Sequence, residues 1–209
     1  MGSTPRPPVR VRRTLPEDVP GLVRLSSLAY TPLLGWWEDE FESHLRVFPE
    51  GQLLAEDPDE GEIVGLAASL VIRRDAFEPT ADWYEITGEG FFTTHDPQGE
   101  TLYGAGVLVA EDARGRGVGS ALYAAREELL RGLGLERILA GARISGYHEV
   151  AEELTAWEYV DEVVRGLRDD PTLSFQLSHG FQVLQVIPAY LPQDRESLGY
   201  AAEIEWRPG

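Results

Sequence analysis

The residues with the most chemistry to offer stand together at Arg114-Gly115-Arg116-Gly117-Val118-Gly119, with Ser120 behind them. Three glycines among five consecutive residues let the backbone approach a ligand closely and adopt conformations that a Cβ forbids. A helix starting here points its first N–H groups, and the positive end of its dipole, at the same place. Arg114 and Arg116 add positive charge. Such a site takes an anion, and a pyrophosphate fits best. Two other phosphate loops are excluded. A P-loop needs a Lys after its last glycine, and Ser120 follows Gly119. The dinucleotide fingerprint G-x-G-x-x-G is absent, because these glycines are spaced G-x-G-x-G.

The flanking residues supply the elements that position this loop. Thr101 to Ala110 reads as a short apolar strand. Val118, Ala121, Leu122, Ala125, Leu129 and Leu133 recur at helical spacing, with Arg126, Glu127, Glu128 and Arg131 assigned to the opposite, polar face. Gly132 and Gly134 stop the helix, and Arg137 to Arg143 reads as a second strand. The loop is the joint of a strand–turn–helix–strand unit.

At these residues the chain resembles the GNAT superfamily of N-acetyltransferases, whose acetyl-CoA loop reads [Arg/Gln]-x-x-Gly-x-[Gly/Ala]. Residues 86–105 and 173–206 are similar to one subgroup, whose domains occur alone or fused to nitrilase-like carbon–nitrogen hydrolases. The resemblance implies a mixed, mostly antiparallel sheet flanked by helices, with acetyl-CoA as co-substrate. It implies that backbone groups of Val107, Leu108 and Val109 hold the pantetheine and thioester. The pyrophosphate then lies on Arg114, Gly115, Arg116, Gly117, Val118, Gly119 and Ser120, and Ser174 is a further cofactor contact. The acceptor is a small-molecule or protein amine, and a homodimer is compatible with the family.

Acetyl transfer also needs a base for the amine, an oxyanion donor and help for the departing thiolate. The family's acid is a Tyr four residues before a Gly-Phe pair. That pair is Gly180-Phe181, and the position holds Gln176, whose amide gives up no proton near neutrality. Tyr190, Tyr200 and Tyr103 are candidates to replace it, with water as the other option. No carboxylate or His stands between Leu102 and Val109, so the base is sought in the segment before it. Glu85 and His95 rank ahead of Glu89 and Asp96. The stretch Asp194 to Ser197 lines either the acceptor mouth or a solvated turn. A protein that binds acyl-CoA without turnover is the alternative that Gln176 raises.

The rest of the chain reads as one domain over residues 9–209 after a Pro-rich, disordered tail at residues 1–8. Val9 to Arg13 alternates like an exposed strand. A helix follows from near Asp18, and a second spans roughly Trp36 to Phe48 with core aromatics at 36, 37, 41 and 48. Gln52 to Glu56 and Ile63 to Ile72 are strands around a turn at Asp57. Two insertions stand out. Residues 73–100 form an aromatic wall on the substrate side. Residues 144–170 carry a helix capped by Thr155 and Glu158, with Val160, Val163, Val164 and Leu167 on one face. His148-Glu149 is no metal motif, since no second His follows at helical spacing. Asp170-Pro171 caps a further helix, and strands at 181–187 and 199–206 close the sheet.

Composition narrows the class. The chain has 209 residues, 43% of them hydrophobic and 10% aromatic, which is globular. The net charge of −18 argues against a nucleic-acid partner and suits a cationic substrate. Cysteine is absent, removing disulfides, thiolate nucleophiles and Cys-based zinc sites. No metal is expected. No apolar run reaches membrane-spanning length and no secretory h-region is present, so a cytoplasmic protein is expected. All 18 basic residues are Arg, with no Lys and no Asn, as in a GC-rich bacterial genome.

Overall fold

In the computed structural model, residues 9–29 and 35–209 are described. The expected tail at residues 1–8 lies outside them. Among the described residues, seven strands form one sheet in the order β1-β2-β3-β4-β5-β7-β6. They are β1 (Arg10–Arg13), β2 (Gln52–Glu56), β3 (Ile63–Ile72), β4 (Thr101–Val109), β5 (Arg137–Arg143), β6 (Gln182–Ile187) and β7 (Ala201–Trp206). The helices are α1 (Val19–Ala29), α2 (Glu38–Val47), α3 (Trp83–Thr87), α4 (Val118–Leu133), α5 (Ala156–Val164) and α6 (Leu173–Ser178). β4 and β5 run parallel. The β1–β2, β2–β3, β5–β7 and β6–β7 pairs are antiparallel.

Two compact units divide the chain, and each takes part of β3 and β4. The first unit contains Gly106–Leu129 and the described residues up to Ala68. Its core joins Leu53 and Ala55 of β2, Val64 and Ala67 of β3, and Val118 and Leu122 of α4. β1 is the edge strand. Arg12 ties it down through Glu56 at 2.9 Å and Asp18 at 2.6 Å. Trp36 packs edge-on against Phe41 and His44 of α2, while Trp37, expected in the core, is 60% exposed. On α4 the buried stripe is Val118, Leu122, Arg126 and Leu130. That turns the helix from the expected register: Arg126 faces inward and Leu133 outward.

The second unit holds Ser69–Ala105 and Leu130–Gly209. Its centre is β5, paired with β4 on one side and β7 on the other. The segment at residues 73–100 is ordered around α3, where Asp82 and Glu85 cap each other: each backbone N–H donates to the other's carboxylate. The Trp83 indole N–H donates to the Ala105 carbonyl at 2.9 Å. In the second insertion, Thr155 and Glu158 form the expected capping box of α5. Val163 is buried, but Val164 and Leu167 are 50% and 65% exposed, outside the packed face. The fully buried Asp170 carboxylate accepts from the N–H groups of Thr172, Leu173 and Gly146 and from the Tyr159 hydroxyl.

One packing contact sets the β5 backbone. A methyl group at Gly141 would lie inside the ring of Tyr190. Tyr190 is buried, and its hydroxyl bonds that of Tyr103. Gly141→Ala is expected to displace that ring and cost about 1–3 kcal/mol, the usual penalty of overpacking. Urea unfolding measures it. A strand glycine without such a neighbour would show no loss on gaining a methyl.

Candidate active site

The chain leaves β4 at Val109, makes a short turn over Glu111–Ala113, and enters α4 at Val118. Gly115 and Gly117 sit at φ of +73° and +79°, where a side chain is strained. Nothing lies within 4 Å of a Cβ built on either. The glycines are therefore required by backbone conformation, and the space over them is open. The two arginines divide their work. Arg116 donates to Asp57 at 2.6 Å, tying the loop to the turn between β2 and β3. That contact holds the Asp57 carboxyl below its ordinary range. Arg114 is exposed, with no ion-pair partner among the described residues.

β4 itself has one edge available. Its parallel ladder to β5 covers Thr101–Tyr103 against Arg137–Leu139, although β4 continues to Val109. On the other edge, the Ala110 N–H donates to the Val64 carbonyl, and the Leu108 carbonyl lies 3.0 Å from a Cβ built on Gly65. Strand peptides alternate in direction. Leu108 and Ala110 are thus turned toward β3, and Val107 and Val109 present their peptide groups to the opposite edge.

A buried cation fixes this arrangement. Arg126, 2% exposed, donates through Nη2 to the carbonyls of Gly106 at 2.8 Å and Ala68 at 3.1 Å. Burial lowers its pKa. On Gly106, a Cβ would come within 2.8 Å of the Trp36 indole. Sequence reading missed both residues. The signal for Arg126 was its i, i+4 spacing from Val118 and Leu122.

A family model for the acetyltransferase (GNAT) family matches residues 22–151. The chain belongs to the GNAT acetyltransferase family. It is 35% identical to the uncharacterized N-acetyltransferase YkwB of Bacillus subtilis, across 94% of this chain and 88% of that protein. It is 41% identical to the probable hydrolase YhcX of the same organism, again over 94% of this chain but spanning only 38% of that longer protein. Among solved structures, the GNAT-like decarboxylase GphF in complex with isobutyryl-CoA superposes with a TM-score of 0.78. That match has 25% identity and covers 95% of this chain and 98% of GphF.

The catalytic candidates of this GNAT-family chain sit in distinct surroundings. Tyr103 and Tyr190 hold each other's hydroxyls, and burial raises both pKa values. Tyr200 is half-buried, its ring edge against Tyr147. Glu85 is exposed, with its carboxylate closing the α3 cap. The Nδ1 of His95 accepts from the Val71 N–H at 3.1 Å, so its lone pair there is occupied. Asp96 pairs with Arg73 at 3.2 Å, and Glu89 is exposed at φ +59°. Ser174 Oγ accepts from the Asp170 N–H at 2.9 Å, inside the α6 cap. Gln176 is buried in α6.

Three substitutions follow from the loop. Gly117→Asp is expected to abolish CoA binding, because a carboxylate would occupy the space left for an anion. Arg114→Ala is expected to weaken CoA about 10- to 100-fold, as for loss of a charged hydrogen bond worth roughly 1–3 kcal/mol. Arg116→Ala should weaken it less, since its charge is spent on Asp57. Calorimetry with CoA reads all three. Equal affinity for wild type and Gly117→Asp would contradict the loop's role.

Proposed function

We propose that this protein transfers the acetyl group of acetyl-CoA to a primary amine, with a cationic acceptor preferred. The observation that carries the reading is the open β4 edge at Val107 and Val109 leading directly into the positive-φ glycine loop and the N-terminus of α4. Val107 and Val109 would hold pantetheine and polarise the thioester carbonyl as its oxygen gains charge. Leu108, turned toward β3, contributes its side chain to packing. The loop from Arg114 to Ser120 would hold the pyrophosphate. The charge of −18 favours encounter with a cation.

Thiolate departure needs a proton. Gln176 has none to give, and the paired hydroxyls of Tyr103 and Tyr190 are buried with raised pKa values. Tyr200, half-buried and held against Tyr147, is the tyrosine we assign as acid. Glu85 and His95 serve better as the α3 cap and the Val71 anchor than as bases.

The similarity to GphF favours a second reading, decarboxylation of a carboxyacyl-CoA. One assay separates the two. Acetyl-CoA is offered with spermidine, cadaverine and an N-terminal alanine peptide, and thiol release is followed. Malonyl-CoA is offered in parallel, and carbon dioxide is followed. Amine-dependent thiol release is expected, and Tyr200→Phe should lower kcat about 10²-fold with KM nearly unchanged. Carbon dioxide without thiol release would favour the decarboxylase. CoA binding with neither product would indicate a binding protein.

A further inference from the structure

Asp57 follows β2 directly, at the head of the turn that leads into β3. The turn closes on it. Its N–H donates to the Glu62 carbonyl and its carbonyl accepts from the Gly61 N–H, both at 2.8 Å. The side chain is then fixed at both oxygens. Oδ1 accepts from the Asp59 N–H at 3.0 Å, and Oδ2 accepts from Arg116 Nη2 at 2.6 Å. Asp57 is buried, whereas Asp59, Glu60 and Glu62 of the same turn are exposed. Of these four acidic side chains, Asp57 is the one turned inward, and Arg116 is the group it meets there.

Arg116 stands between Gly115 and Gly117, the two positive-φ residues of the loop. Among residues 114–117 it alone is not exposed. The glycines have no side chain to anchor, and Arg114 is exposed, so the pair with Asp57 is what fixes the middle of the loop. The ends are held by other means. The Ala110 N–H donates to the Val64 carbonyl at 2.9 Å, and Ala113 and Val118 pack with Leu53 and Ala55 of β2. Within the loop the Arg116 N–H reaches the Ala113 carbonyl only at 3.4 Å. A stretch with two such glycines has much conformational freedom to lose on binding. A contact that orders it beforehand reduces that loss.

We infer that Asp57 is a positioning residue for the anion loop: through Arg116 it presets the 115–119 backbone for the pyrophosphate of acyl-CoA, resting on the acyl-CoA reading of the loop above. Arg116 is then a brace. Its guanidinium stays on Asp57 in the free and the bound protein, and the pyrophosphate is met by backbone N–H groups and by Arg114. A guanidinium merely parked on Asp57, and moving to the ligand, would behave oppositely: removing the Asp57 charge would release it and tighten binding.

The test is calorimetry with CoA on the full chain and on Asp57→Asn, Arg116→Ala, the double variant and Glu56→Gln. Asn keeps the shape of Asp57 and an oxygen for the Asp59 N–H, and removes the charge that holds Arg116. Asp57→Asn and Arg116→Ala are each expected to weaken CoA about three- to tenfold, and the double variant no more than either alone, because both remove the same brace. Glu56→Gln breaks the neighbouring ion pair with Arg12, whose other partner is Asp18 and not the loop. It is expected to leave CoA affinity unchanged, with thermal unfolding reading the stability of every variant. Unchanged or tighter binding by Asp57→Asn, additive losses in the double variant, or an equal loss in Glu56→Gln would each overturn the inference while leaving the loop reading intact. A wild-type protein that binds no CoA would overturn the loop reading, and this inference with it.

Discussion

The first unit depends on where the Arg126 guanidinium goes. A buried charge without partners costs on the order of several kcal/mol, and that cost falls only when its donors are satisfied. Arg126 directs Nη2 to two backbone carbonyls, one on β3 and one on β4. Removing the arginine would take a donor from the buried Ala68 carbonyl and from the part-buried Gly106 carbonyl. The interaction therefore clamps β4 at Gly106, just where its peptide groups begin to matter. Beyond the clamp, Ala110 is tied to Val64, and the alternation of the strand directs Val107 and Val109 to the other edge. The glycine loop and α4 follow without a break.

Much of this was legible in the sequence because it is local. The G-x-G-x-G loop, the strand before it and the helix after it lie within one short stretch. Thr155 with Glu158, and Asp170 before Pro171, are caps written within four residues of the groups they satisfy. The GNAT resemblance rested on the same kind of contiguous signal. Where the reading went wrong, it assigned charge to solvent by type. Arg126 was placed on the polar face although its spacing from Val118 and Leu122 put it on the buried one. Trp37 was placed in the core by its type, and it is exposed.

The catalytic groups were less legible because their chemistry depends on distant backbone. Tyr103 and Tyr190 are far apart in the chain, and nothing in the sequence announces that their hydroxyls meet. The histidines make the point most clearly. His95 and His148 are alike as letters, yet a backbone N–H occupies the Nδ1 of one and backbone carbonyls hold the Nδ1 proton of the other. Tautomer, and with it the capacity to take a proton, is set by chain segments that a motif search does not join.

The claim that most needs testing is that β4 holds acyl-CoA along its free edge. Amide hydrogen exchange resolved by residue, with and without CoA, addresses it directly. The account predicts that the Val107 and Val109 amides, with those of the 115–120 loop, gain protection on binding. The Leu108 amide should already be protected in the free protein, because that peptide faces β3. Protection of the loop with no change at Val107 and Val109, or protection gained at Leu108 instead, would contradict it.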